Sequence, residues 1–171
     1  VKEKEANEKK MDEIRAKMFE LVGVSKAPTF GEALDIAKAV SLMVSIRPAF
    51  LLAVISQESA IGRNLGQCIL TDFATGVGKI ISTGKTTERV MSPKRDVQPF
   101  LKIISELGRD PYNTAVSCPL SYGWGGAMGP AQFIPSTWNL YIDKLKSVLG
   151  KAGDPWGVKD SFVASALYLS D

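Results

Sequence analysis

Apolar positions along this chain recur mostly at helical spacing. Met11, Ile14, Met18 and Leu21 follow one another at intervals of 3, 4 and 3 within a charged stretch. That narrow stripe predicts a helix over 1–22. Glu5 with Lys9 and Glu13 with Lys17 are favourable i,i+4 pairs along it. The stripe fits two arrangements, one-sided packing on a domain or the end of a coiled coil that engages a partner helix. Gly23 to Pro28 read as a linker. Thr29 with Glu32 makes a capping box, and Ala33, Leu34, Ile36, Ala37, Val40 and Met43 give the next helix a broad apolar face. It is expected to end near Ser45, because Pro48 disfavours helix at Arg47. Pro48 then suits the first turn of a helix reaching Ser59. From Ala49 to Ile55 that helix is apolar on every side, the pattern of a helix in the middle of a domain.

Residues 69–95 lose the periodicity and read as a long loop or a small hairpin. It returns over Val97–Leu107, with Gly108 as a stop. Residues 109–129 form a second long loop. Ser136 is expected to cap a helix reaching Leu149, closed by Gly150. Asp154 to Gly157 read as a turn, and Asp160 is expected to cap a last helix that the chain end cuts off. The fold class is mainly α, with two long loops of the kind that carry function.

With 171 residues, the chain fits one compact domain plus extra helix. Its 45% hydrophobic and 23% charged residues are ordinary for a globular chain with a real core. The formal charge of +3 suits an anionic surface but is too small to argue for nucleic acid. There is no histidine. A Ser-His-Asp triad, a Cys-His protease and an HExxH zinc site are therefore excluded. Chemistry must run on carboxylates, Lys, Tyr, Ser or backbone groups. Cys68 and Cys118 read as two buried thiols or, preferably, as one disulfide closing a long loop in an oxidising compartment. No apolar stretch is long enough to span a membrane and no signal peptide is present. A start at Val1 inside a charged run reads as a processed product or an excised fragment.

Gly84-Lys85-Thr86 resembles the end of a phosphate loop, but the glycine five positions earlier is Lys79 and no apolar strand precedes it. Nucleotide binding is rejected. Two other windows carry candidate chemistry. Glu58 follows an apolar run in the last turn of its helix. Burial and the negative helix end would both favour its protonated form, which is what protonating a glycosidic oxygen requires. An outward-pointing Glu58 paired with Arg47 or Arg63 is the competing reading of that window. The second window runs from Gly123 to Trp138. Its four glycines allow close backbone approach to a ligand. Gln132 offers a neutral donor and acceptor, and Trp124, Phe133 and Trp138 offer flat faces for sugar rings. Its competing reading is a glycine-rich turn beside core aromatics.

Taken together, Ser56-Gln57-Glu58-Ser59 and the string Gly126-Ala-Met-Gly-Pro-Ala-Gln-Phe-Ile-Pro-Ser136 resemble the lytic transglycosylases. They are most similar to the membrane-bound lytic transglycosylase B branch of the goose-lysozyme-like superfamily. Asp154-Pro155-Trp156 and the Asp160 helix carry the same resemblance, which covers about residues 46–169. It implies a lysozyme-like helical domain over 23–171, truncated at its C-terminus, behind the 1–22 helix. Glu58 would be the acid and base. Ser59, Tyr122, Met128, Gly129, Gln132 and Phe133 would bind the glycan, and no metal or organic cofactor would be needed. The substrate would be the glycan strands of peptidoglycan and the location extracytoplasmic. Two departures stand out. Gly123 occupies a position where the family commonly has a serine, for which Ser121 or Tyr122 could substitute. The chain also ends before a later helix that in the family faces the cleft with a tyrosine or asparagine.

Most glycosidases flank the bond with two carboxylates. Here Asp72, Asp96, Asp110, Asp154 and Asp160 fall in turns or capping positions, outside both windows. A lone Glu58 fits a substrate-assisted cleavage of the MurNAc-GlcNAc β-1,4 bond. The 1,6-anhydro-muramyl product of that route is implied by the resemblance. The rival readings are a muramidase-type hydrolase of the same fold, an inactive glycan-binding or structural module of a wall-crossing assembly, and a helical adaptor that acts through 1–22.

Overall fold

A computed structural model describes residues 27–171 together with Lys4, Asn7 and Lys10. Apart from these three positions, which are helical and exposed, the helix expected over 1–22 and any coiled-coil partner it would engage lie outside the described residues. Within them the elements run α1 (Phe30–Met43), α2 (Pro48–Ser59), β1 (Cys68–Asp72), β2 (Val77–Ile80), β3 (Thr86–Thr87), α3 (Val97–Leu107), α4 (Pro135–Leu149) and α5 (Val158–Ser170).

Local chemistry sets most helix ends. Thr29 and Glu32 form the reciprocal capping box at the start of α1. Pro48 sits in the first turn of α2, where a missing N–H costs nothing. Gly108 and Gly150 end α3 and α4 in the left-handed conformation. Two expected caps are corrected. Ser136 does not cap α4; Ile134 holds the capping position and Pro135 starts the helix. The Ser136 N–H instead donates to Oδ1 of Asp96 at 3.2 Å, a carboxylate that is wholly buried and paired with Arg95. Asp160 does not cap α5 either. Gly157 does, and Asp160 lies in the first turn, where its carboxylate accepts the Asp154 N–H and a Lys151 contact, each at 3.0 Å.

The central helix is α5 rather than α2. It packs on α1, α2 and α4, and its run from Asp160 to Ala166 is buried without interruption. Alanine and serine in that run let neighbours approach from all sides. α2 buries only Leu51, Leu52, Ile55 and Ser59, and leaves Ala49, Phe50, Ala53 and Gln57 exposed. An all-apolar sequence therefore did not place it at the centre. Around α5 the core gathers Trp138, Trp156, Phe100, Phe162, Leu51 and Ile55.

The aperiodic stretch, expected as a long loop or a small hairpin, becomes a three-stranded antiparallel sheet in the order β1-β2-β3. Gly84 and Lys85 complete its second turn and Thr86 opens β3, with the Ile80 N–H bonded to the Lys85 carbonyl at 2.9 Å. Cys68 pairs as a bridge with Val116 and is disulfide-bonded to Cys118. These links fasten the sheet to the loop that leads into Gly123–Ser136.

Candidate active site

Two segments distant in sequence meet at the end of α2. After Ser59 the chain turns through three left-handed residues, Ala60, Ile61 and Gly62. Ser59 holds this turn. Its hydroxyl is 1% exposed, donates to the Pro130 carbonyl at 2.6 Å and accepts the Gly62 N–H at 2.8 Å. This corrects its expected role. Ser59 faces inward and clamps the Glu58 helix to the glycine-rich string, so its oxygen is not available to a glycan. Ser59→Ala is expected to cost about 1–3 kcal/mol of stability by leaving the Gly62 and Pro130 groups unsatisfied. Calorimetry with a parallel activity assay checks this: the melting temperature falls while glycan affinity at low temperature stays unchanged.

The string itself is a tight hairpin. Met128 and Phe133 pair across it, with the Met128 N–H bonded to the Phe133 carbonyl at 2.9 Å. Gln132 adopts a φ of 54°, a left-handed conformation uncommon outside glycine. Its backbone N–H and its side-chain Nε2 both donate to the Gly129 carbonyl, at 3.2 and 2.8 Å. That leaves Oε1 as an acceptor. Met128 is wholly buried, and a Cβ on Gly129 would overlap the Pro155 carbonyl oxygen. Gly129 is thus required for packing against the Asp154–Gly157 turn. Neither residue lines the groove beside Glu58, contrary to the expectation.

That groove holds about 320 Å³. Glu58 and Val54 of α2 form one wall. Ala131, Gln132, Phe133, Ile134 and Thr137 form the floor, and Ser165, Tyr168 and Leu169 of α5 close the other side. Phe133 is 8% exposed and meets Tyr168 edge-on, with centroids 5.7 Å apart. Tyr168 also meets Tyr141 at 5.9 Å, whose hydroxyl bonds Asp171 at 3.0 Å. Burial pushes the Tyr141 phenol up, and Asp171 adds to the effect. Hydrogen bonds from Lys144 and Tyr141 hold the Asp171 carboxyl below the usual range.

Glu58 itself is exposed: of the two readings of its window, the structure shows the outward-pointing side chain and not the buried one. Ser59, the next residue, takes the buried position, held by its bonds to Pro130 and Gly62. Among the described residues Glu58 makes no hydrogen bond or ion pair, so the expected alternatives of pairing with Arg47 or Arg63 are not realised. Tyr122 is 85% exposed and stands outside the groove. Trp138 is 1% exposed and belongs to the core. Trp124 lies exposed in a separate concavity. The residues the sequence reading missed are Ser165 and Tyr168. They stand three apart on α5, so they share a helix face, and a polar and an amphipathic residue in a run otherwise rich in Ala, Val and Leu was the available signal.

Glu58 is the one carboxylate lining the groove among the described residues. The five aspartates noted above all accept backbone N–H groups elsewhere. Asp72 receives Ala74, Asp96 receives Ser136, Asp110 receives Tyr112, Asp154 receives Trp156 and Asp160 receives Asp154. At Asp72, hydrogen bonds from the Thr75 hydroxyl and the Ala74 N–H hold the carboxyl below its ordinary value.

Comparison with known proteins bears on the fold and the family. A 36 kDa muramidase/transglycosylase superposes with a TM-score of 0.59 at 20% identity, over 82% of this chain and 41% of that one. Escherichia coli lytic transglycosylase Slt35, solved with calcium, gives a TM-score of 0.57 at 21% identity over the same 82% and 41%. Its complex with bulgecin A gives 0.56 at 21% identity, with the same coverage. The chain spans about two fifths of the length of these structures, and at such identities the likeness is one of fold, the lysozyme-like transglycosylase fold. No curated protein matches the sequence. The family model for the transglycosylase SLT domain matches residues 2–171. That match takes in the Glu58 helix, the Met128–Phe133 hairpin and the α5 wall alike, and the chain belongs to the transglycosylase SLT domain family.

Proposed function

We propose that this chain cleaves the MurNAc-GlcNAc β-1,4 bond of peptidoglycan, with Glu58 as the single acid and base. The observation that carries the reading is the lone carboxylate in the groove, opposite Tyr168 and above Phe133 and Gln132. Two-carboxylate hydrolysis needs a partner placed across the bond, and Asp96, Asp154 and Asp160 do not line the groove and accept backbone N–H groups instead.

The chemistry follows from that asymmetry. Glu58 donates its proton to the glycosidic oxygen as the bond to the anomeric carbon breaks. The substrate's own acetamido oxygen stabilises the positive charge that develops there. Glu58, now a carboxylate, takes the proton of the muramic 6-hydroxyl, whose oxygen closes onto the anomeric carbon. The carboxyl starts exposed, so the desolvation that strengthens a general acid comes from the glycan that covers it. Phe133 offers an apolar surface to a ring, and Oε1 of Gln132 an acceptor for an acetamido N–H or a hydroxyl.

The Gly126–Ser136 string supports assignment to the membrane-bound lytic transglycosylase B-like branch. A wall substrate and the Cys68–Cys118 disulfide support an extracytoplasmic location. Mass spectrometry of digested, purified wall tests the reaction. Products lighter by one water than those of hydrolysis are expected. Intact reducing ends in their place would make the chain a muramidase-type hydrolase.

A further inference from the structure

A second concavity, of about 560 Å³, lies away from the Glu58 groove and shares no lining residue with it. Asp72, Thr75, Val77, Glu88, Arg89 and Trp124 line it. Its size is within the usual range for small-ligand sites. Trp124 is 40% exposed, whereas Trp138 and Trp156 are 1% and 0% exposed. A large exposed aromatic face is unusual in a chain that buries its other tryptophans.

The surroundings hold that face in place. Trp124 stands over Gly76: a Cβ there would lie 3.0 Å from its Cζ3 and would overlap the Met91 carbonyl oxygen. Next to it, Gly125 has no room for a side chain against the Ser117 carbonyl, and its N–H donates to the Arg89 carbonyl at 2.9 Å. Arg89 has a φ of 59°, a conformation that non-glycine residues adopt at a cost and that clusters at ligand clamps. The Val90 and Met91 N–H groups both donate to the Gly76 carbonyl, at 2.9 and 3.3 Å. Arg89 and Trp124 are therefore locked together through backbone. Within the described residues the side chains of Glu88 and Arg89 make no hydrogen bond or ion pair.

We propose that this concavity is a saccharide subsite in which a pyranose ring lies on Trp124 and its hydroxyl or acetamido groups reach Arg89 and Glu88. The C–H face of a sugar ring suits an aromatic plane, and planar charged groups at its rim suit paired hydroxyls. Asp72 and Glu88 beside a single Arg89 disfavour a polyanionic ligand. The proposal rests on the glycan reading of the previous subsection, and the subsite would engage the strand apart from the bond that is cut.

Tryptophan emission tests it, because Trp124 is the exposed reporter. A soluble N-acetylglucosamine oligosaccharide is titrated into the wild type and into Glu58→Gln. The expected result is a saturable blue shift with reduced quenching by acrylamide in both proteins. Arg89→Gly keeps the left-handed backbone and is expected to weaken the apparent affinity at least about tenfold, the loss of a charge-assisted contact, with an unchanged melting temperature. Glu88→Gln provides a second variant that preserves shape. Absence of any emission change, or a change that Arg89→Gly and Glu88→Gln both leave intact, overturns the proposal. Turnover is not needed for this measurement. A failure of Glu58-dependent cleavage would leave an emission shift standing, and the loss of the shift would leave cleavage standing.

Discussion

Replacing Glu58 by glutamine is expected to abolish cleavage of purified wall while leaving the fold intact. Glutamine keeps the length and shape of the side chain but can neither give up a proton to the glycosidic oxygen nor take one from the 6-hydroxyl. General acid or base catalysis contributes about 10²–10⁴-fold to rate, and in the proposed reaction Glu58 serves in both halves. The loss should therefore lie at or beyond the upper end of that range, below detection in a zymogram. Stability should barely change. Glu58 is exposed and bonds to no described residue, and surface substitutions of that kind stay within about 0.5 kcal/mol. Rate and melting temperature measured on one preparation separate the two effects. Cleavage at the wild-type rate would remove Glu58 from the chemistry.

Loss of the Cys68–Cys118 disulfide is expected to be the largest single change in stability. The bond closes a loop of sequence separation 50. Loop-closure entropy at that length corresponds to about 4 kcal/mol in the unfolded chain. For a domain of this size that lowers the melting temperature by roughly 10 °C. The consequence reaches the groove. Cys118 follows Ser117, whose N–H donates to the Ala127 carbonyl at 2.8 Å and whose carbonyl accepts the Gly126 N–H at 3.0 Å, so the bond anchors the entry to the Met128–Phe133 hairpin. Circular dichroism melts of Cys68→Ser with Cys118→Ser, or of the reduced wild type, check the prediction. An unchanged melt would mean that the bond does not constrain the chain in solution.

Much of the architecture was legible from local pattern. The Thr29–Glu32 capping box, Pro48 at a first turn, and Gly108 and Gly150 as stops act over a few residues, so reading them needs no knowledge of distant contacts. The same holds for Glu58 as a candidate and for the aspartates in turns. Each of those carboxylates satisfies a backbone donor close to it or at a neighbouring segment end.

The misread features all depend on what lies opposite. The apolar run of α2 suggested a central helix, but hydrophobicity says how much surface a helix can bury and not how much its neighbours will cover. α5 won the centre because its small residues admit three helices around it. Ser59, Met128 and Gly129 looked like groove residues by their place in the motif. The Pro130 carbonyl draws the Ser59 hydroxyl inward, the Pro155 backbone leaves no room for a side chain at Gly129, and Met128 is wholly buried. Ser136 lost its capping role to the carboxylate of Asp96, forty positions away.

By itself, then, the sequence determined the helices among the described residues, the excluded chemistries and Glu58 as the candidate, because propensity, capping and the absence of histidine are properties of nearby residues or of composition. Only the tertiary structure decided that Glu58 stands exposed in a groove shared with Tyr168, that Ser59 is a clamp, and that Trp124 lines a different concavity. Those outcomes depend on which side chains from distant segments reach the same few ångströms, and neither spacing nor composition carries that information.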